Sequence, residues 1–234
     1  MRIVDLSQEI YHRRPVPGSQ ISPVVWTHMT HEESAALLQS DEFSYMTMGL
    51  ILSDHCATHV DAFRHIDPRP GAEGIDEIPL ERFYSSAICL DVSHIPSGGY
   101  ISRADLEAVL ARSGQEIRVG DAVLFYTGQC EKTNPADFGM FAGLDREAAE
   151  WLADRGVNNI GTDAYSIDRR TPAETPPRNP AHMVCRDRKI LNTENLAIPK
   201  ELLNRRFLFL CLPLKIRGGS GSPVRAVALL EAPR

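Results

Sequence analysis

Two stretches of this 234-residue chain set a capped helix just ahead of an apolar strand, and that pairing limits the folds open to it. In "SRADLEAVLARSG" the pattern predicts a helix over Arg103 to Arg112. Ser102 serves as N-cap, Asp105 completes a capping box, and Gly114 ends the run. In "LDREAAEWLADRG" the spacing of Leu144, Ala148, Trp151 and Leu152 predicts a second helix from about Asp145 to Arg155, stopped by Gly156. The strands "DAVLFYT" and "NNIGTD" follow within a few residues, so helices should pack on a mixed sheet in an α/β or α+β fold.

Five more segments, "RIVDLS", "YMTMGLIL", "SAICLDVS", "RFLFLCLPL" and "PVRAVALL", are short, apolar or β-branched, and bounded by turn residues, so they read as strands. With no fixed-period repeat and no long linker, residues 1–234 are expected to form one domain. The stretch Asp168 to Pro180, "DRRTPAETPPRNP", has four prolines and no apolar period and reads as an irregular surface loop.

Composition excludes several classes of function. The balance of 25 Lys and Arg against 31 Asp and Glu gives a net charge of −6 without long runs of one sign, which argues against a nucleic-acid partner. The N-terminus "MRIVDLSQEI" lacks an apolar signal region and no apolar run approaches the ~18 residues of a membrane span, so a cytoplasmic protein is expected. The five cysteines are scattered and form no CxxC pair, which suits neither a disulfide framework nor a zinc finger.

The chemistry concentrates in Asp54 to Asp67, "DHCATHVDAFRHID". His55, His59, Asp61 and His65 all occupy odd positions, so a strand would turn them to one face. A straight strand cannot gather all four, because at ~3.3 Å per residue His55 and His65 would sit about 33 Å apart. A helix would split them between two faces. The chain must therefore bend, near Cys56 and Ala57 or after Asp61. Imidazole and carboxylate donors suit Zn²⁺, Mn²⁺ or Fe²⁺, and three protein ligands leave a position for water. His65, four residues past the last of these ligands, would then be free to act as a base. The plainer alternative is a polar loop or a single satisfied core histidine.

The segment His55 to His65 resembles the HxGTHxDxPxH motif of the cyclase family of metal-dependent hydrolases, which includes bacterial kynurenine formamidases, isatin hydrolases and a dienelactone hydrolase. "GTDAYSID" (Gly161 to Asp168) is similar to the family's GxDxxSxD segment, "AHMVCRDRKILNTENL" to its later His and Glu stretch, and "GGSGSPVRAVAL" to its GxPxR strand. The resemblance implies a swivelling β/β/α fold and one or two divalent metal ions, zinc or manganese. It places His55, His59 and Asp61 on the first ion, with Asp61 bridging to a second held by His182 and Glu194, and it makes His65 the acid/base residue. His182 is the only histidine in the C-terminal half and precedes Glu194 by twelve residues.

The implied activity is opening of an activated amide or lactone carbonyl by hydroxide generated at the metal, arylformamidase-like first, with isatin or enol-lactone hydrolysis as alternatives. The substrate would be a small molecule and the assembly a homodimer or homotetramer. A non-catalytic metal or small-molecule binding protein on the same scaffold is the reading from another class. Two departures bear on this. Ala57 replaces the motif glycine, which is unfavourable if the position needs positive φ. Phe63 replaces the proline, and its ring either lines the substrate pocket or packs in the core. Arg225 is a candidate for positioning a substrate carbonyl or carboxylate, while Asp163 and Asp168 read either as turn residues or as partners that orient ligands.

Overall fold

The computed structural model describes residues 1–16, 20–132, 139–174 and 178–231. In chain order the elements are β1 (Arg2–Asp5), β2 (Val24–Met29), α1 (His31–Leu38), β3 (Thr47–Ile51), β4 (His59–Asp61), β5 (Tyr84–Asp91) and β6 (Tyr100–Ile101). Next come α2 (Arg103–Ser113), β7 (Ala122–Tyr126), β8 (Gly143–Leu144), α3 (Arg146–Asp154) and β9 (Asn159–Thr162). The last are α4 (Pro180–Arg188), β10 (Leu191–Glu194), β11 (Arg206–Leu210), β12 (Gly221–Pro223) and β13 (Val227–Leu230).

Nine strands form one curled mixed sheet in the order β1-β13-β11-β5-β7-β9-β10-β4-β12. Its centre, β5-β7-β9-β10, is parallel and both flanks are antiparallel. Strands β5 and β7 are apolar on both faces, as a covered parallel sheet requires. Ala87 and Cys89 of β5 and Leu124 of β7 enter one core with Phe207 and Phe209. Ile88, Leu90, Val123 and Phe125 enter a second core beneath α2, α3 and α4, where Leu106, Trp151, Leu152 and Val184 meet them. This two-sided burial confirms the α/β reading, and all seven expected strands are present. No helix among the described residues is long and apolar enough to cross a membrane.

The two predicted helices form as their caps dictate. Ser102 and Asp105 make the capping box of α2, and Asp145 caps α3 by accepting from Ala148 N–H. Two other helices lie where apolar periodicity predicts none. α1 depends on a Thr30 and Glu33 capping box, with Ser34 its one buried residue. α4 begins at Pro180, so the expected surface loop ends in a helix. That loop also begins inside the protein, because Asp168 is only 1% exposed. Residues 175–177 of the same stretch lie outside the described residues.

Strands β4 and β10 were not expected, since "HVD" and "LNTE" have little strand propensity, whereas β12 falls on the GxPxR segment. Their ladder partners impose the extended form. Just ahead of β4, buried Ala57 has φ 55°, so the position does need the left-handed backbone that suits the motif glycine. That conformation costs an L-residue roughly 1–2 kcal/mol, partly offset by the greater chain entropy that glycine loses on folding. Ala57→Gly should therefore raise stability by up to about 1 kcal/mol, read as a higher urea midpoint at unchanged slope. A lower midpoint would refute strain at this position.

Candidate active site

Three short strands build the wall of the site. β4 lies between β10 and β12, with Glu194 opposite His59 and Gly221 opposite Asp61. Side chains alternate across such a ladder. Val60 enters the first core. His59 and Asp61 face the other way and meet Asn192 and Glu194 of β10, where Asn192 Nδ2 donates to Asp61 Oδ2 at 2.5 Å and His59 Nε2 lies 3.5 Å from Glu194 Oε2. His182 arrives from α4, its Nε2 3.3 Å from Asp61 Oδ2 and 3.4 Å from Glu194 Oε1.

Both bends that the spacing allows are used. The left-handed backbone at Ala57 turns His55 back over β4, and a 3₁₀ turn at Phe63–His65 turns His65 in from the other end. The two rings, far apart on an extended chain, have centroids 4.1 Å apart. Gly221 makes this possible, since a Cβ there would lie 2.8 Å from the His55 ring.

Three imidazoles share one arrangement: an outer nitrogen is held by an acceptor and an inner nitrogen faces Asp61. The Ser220 hydroxyl donates to Asp54 Oδ2 (2.7 Å), so its oxygen accepts from His55 Nε2–H (2.8 Å). His59 Nδ1–H donates to the Ala57 carbonyl at 2.9 Å, and His182 Nδ1–H donates to Asp168 Oδ2 at 2.5 Å. The inner nitrogens, His55 Nδ1 and His59 Nε2, lie 2.8 and 3.4 Å from Asp61 Oδ1. Yet this buried oxygen receives no hydrogen bond from any described group. Lone pairs converging on a carboxylate oxygen are repulsive unless a cation sits among them, so the donor set fits a divalent metal ion.

The titration behaviour agrees. Burial alone would lower the pKa of His59, but the Asp61 and Glu194 carboxylates outweigh it and push it up to about 10. Burial likewise opposes protonation of His182, and Asp168, Asp61 and Glu194 overcome it. Burial would raise the Asp61 carboxyl, whereas His65, His55 and His182 hold it well below the usual range. Without an ion the carboxylates draw protons onto His59 and His182, which reflects the same demand for positive charge.

All six expected residues converge here. One donor atom from each of His55, Asp61 and His65, and likewise from His59, Asp61 and Glu194, fall within 4.8 Å of one another. These triads share Asp61, as the implied bridge does, but they cut across the implied division of histidines between two ions. His65 differs from the rest: its side chain is 35% exposed and its Nε2 stands 4.0 Å from Asp61 Oδ2. Burial, with the nearby His55 and His182, lowers its pKa from 6.5, so it is neutral at pH 7.

The cluster opens into a cavity of about 920 Å³, whose lining includes His65, Ile66, Phe141, Tyr165 and Arg170. Phe141 and Tyr165 form an aromatic wall with ring centroids 6.3 Å apart. Phe63 is absent from this lining: its ring is buried in the first core, with Lys189 Nζ 4.6 Å from its centroid. Arg225 does not reach the cavity, because its guanidinium is bound at the sheet edge by Asp5, donating to the two carboxylate oxygens at 2.9 and 2.6 Å. Asn192 and Ser220 carry no sequence signal of their own and become visible only through the register of β10 and β12.

Residues 4–169 match the Cyclase family. The kynurenine formamidase of Salinibacter ruber is 32% identical over 235 residues, covering 100% of this chain and 99% of the relative. The chain belongs to the Cyclase family. The family match includes the first histidine motif and Asp168 but stops before His182 and Glu194, whereas the Salinibacter ruber alignment spans both. The isatin hydrolase of Roseibium aggregatum is 25% identical over 199 residues, 77% of this chain and 73% of the relative. Isatin hydrolase A from Ralstonia solanacearum superimposes with a TM-score of 0.84 at 26% identity, over 98% of this chain and 92% of that one.

A cation-demanding cluster makes the ion part of folding stability. Protein stripped by chelator and then given Zn²⁺ or Mn²⁺ at 100 times Kd should gain about 2.7 kcal/mol, seen as a higher Tm in calorimetry. An unchanged Tm with either ion would rule out a built metal centre.

Proposed function

We propose that this cyclase-family protein is a metal-dependent hydrolase of small amides, with an aryl formamide as the preferred substrate. The observation that carries it is the buried, unsatisfied Asp61 Oδ1 ringed by imidazoles, beside a half-exposed neutral histidine on a cavity wall. His55, His59, Asp61, His182 and Glu194 would hold one or two divalent ions, zinc or manganese, since imidazole and carboxylate accept both. An ion held there supplies polarisation of the scissile carbonyl and acidification of a water to a pKa of ~7.

The remaining work falls to the chain's own groups. Neutral His65 accepts a proton at Nε2 and delivers it to the departing nitrogen. Phe141 and Tyr165, tilted 39° to each other, provide an aromatic surface for the aryl ring, and the Asn192 amide keeps Asp61 aimed at the cluster. The relatives named as kynurenine formamidases support a formamide, and those named as isatin hydrolases support a cyclic aryl amide as the second substrate to try. Because His65 also forms a triad with His55 and Asp61, a ligand role for it is the second reading.

We also propose self-association. Among the described residues β2 and β3 pair only with each other, and Val24, Trp26, Met48, Leu50 and Ile51 on them are exposed. An isolated hairpin is marginal in water, so a second copy is the natural cover.

His65→Gln should keep its metal while kcat on an aryl formamide falls by ~10²–10⁴. Loss of the metal with the activity would instead make His65 a ligand. Protonation removes the base, so wild-type kcat/KM should fall on the acid side only below pH 6.5, and His65→Gln should lack that limb. An acid limb above 6.5 would refute the assignment. Light scattering should give a multiple of 26.0 kDa, reduced to one chain by Leu50→Asp. A monomeric wild type would refute the assembly.

A further inference from the structure

The segment between β9 and α4 controls the half of the site farthest from the histidine motif. Ile167 N–H donates to Glu194 Oε1 at 2.9 Å. The next residue, Asp168, takes three donors from the first turn of α4. Ala181 N–H reaches Oδ1 at 2.7 Å, while His182 N–H and the His182 Nδ1–H reach Oδ2 at 3.2 and 2.5 Å. Asn179, at the N-cap position of α4, makes no side-chain cap bond, so Asp168 caps the helix from a distant part of the chain.

The backbone of Asp168 is itself pinned. Leu144 N–H donates to the Ile167 carbonyl at 2.8 Å, and Leu144 bridges Asp168. This close passage needs a residue without a Cβ at Gly143, where an added Cβ would stand 2.1 Å from Asp168 C and from Arg169 N. Both contacts are backbone, so neither can swing aside.

We propose that Asp168 is a positioning residue that fixes His182 as the Nδ1–H tautomer, keeping the Nε2 lone pair aimed between Asp61 and Glu194, and that Gly143 is the position that permits it. This role rests on the metal-dependent reading of the cluster, but it depends on no substrate. A ring nitrogen's protonation is set by the bond its partner nitrogen makes. With an acceptor on Nδ1, the neutral ring keeps its one proton there and leaves the Nε2 lone pair for an ion.

Asp168→Asn separates this role from helix capping. Asn and Asp are comparable caps, so its carbonyl oxygen can keep the Ala181 N–H. Its NH₂ group would face the His182 N–H and ring, and the ring can meet that donor only by moving its proton to Nε2. The ion-binding lone pair is then lost although the helix still starts in place.

The test uses the full chain. Imidazole ¹⁵N shifts of apo protein, recorded at a pH where the His182 ring is neutral, report its tautomer, chelator competition reports Zn²⁺ affinity, and apo Tm reports folding. For Asp168→Asn the expected result is near wild-type apo Tm, a His182 proton moved to Nε2, and Zn²⁺ bound ~10–100-fold more weakly. Wild-type Zn²⁺ affinity, or retention of the Nδ1–H tautomer, would overturn the proposal. If Asp168→Asn does not fold, Gly143→Ala carries the test, with the same weakening expected and wild-type affinity again refuting it. A wild type that binds Zn²⁺ but hydrolyses no amide would sink the proposed function alone. If it binds no ion, the apo tautomer still decides the role of Asp168.

Discussion

The site is organised by one carboxylate oxygen left without a hydrogen bond in the interior. Buried acceptors are rarely left so, because the desolvation penalty is of the order of 1–3 kcal/mol and larger for a charge. Around Asp61 Oδ1 the rings of His55 and His59 are close enough to bond, yet their outer nitrogens are already committed to Ser220 and Ala57. Positive charge at the centre of the cluster would satisfy this oxygen. The surrounding polar groups serve to hold lone pairs in place for that charge.

Sheet topology explains how residues so distant in sequence come to share it. β4 supplies His59 and Asp61, β10 supplies Glu194, and β12 brings Gly221 and Ser220 beneath His55. The parallel pairing of β9 with β10 requires a crossover, and α4 is that crossover as well as the carrier of His182. One helix thus closes the sheet and completes the cluster.

Much of this was legible in the sequence where local chemistry and structure agree. Caps and apolar periodicity identified α2 and α3, and two-sided apolar runs identified β5 and β7. The motif from His55 to His65 gave the candidate donors, and its spacing required a bend. The rest depended on long-range partners. "HVD" and "LNTE" are strands because their neighbours are, α1 buries too little to show a period, and α4 is capped by a residue outside its own segment. Arg225 looked available because the sequence could not show Asp5 beside it. Phe63 was ambiguous because a core face and a cavity face differ by a turn that only the fold reveals.

The two-sidedness of β4 has a consequence for how this wall can vary. His59 and Asp61 face the polar cluster only because Val60 faces the core, and one step of register would exchange them. A single inserted or deleted residue here would place two titratable groups in the hydrophobic interior and a valine in the cavity. Side chains around the pocket can be exchanged one at a time, but the length of this segment cannot drift. Here the phase of the strand carries the chemistry as much as the identity of its residues.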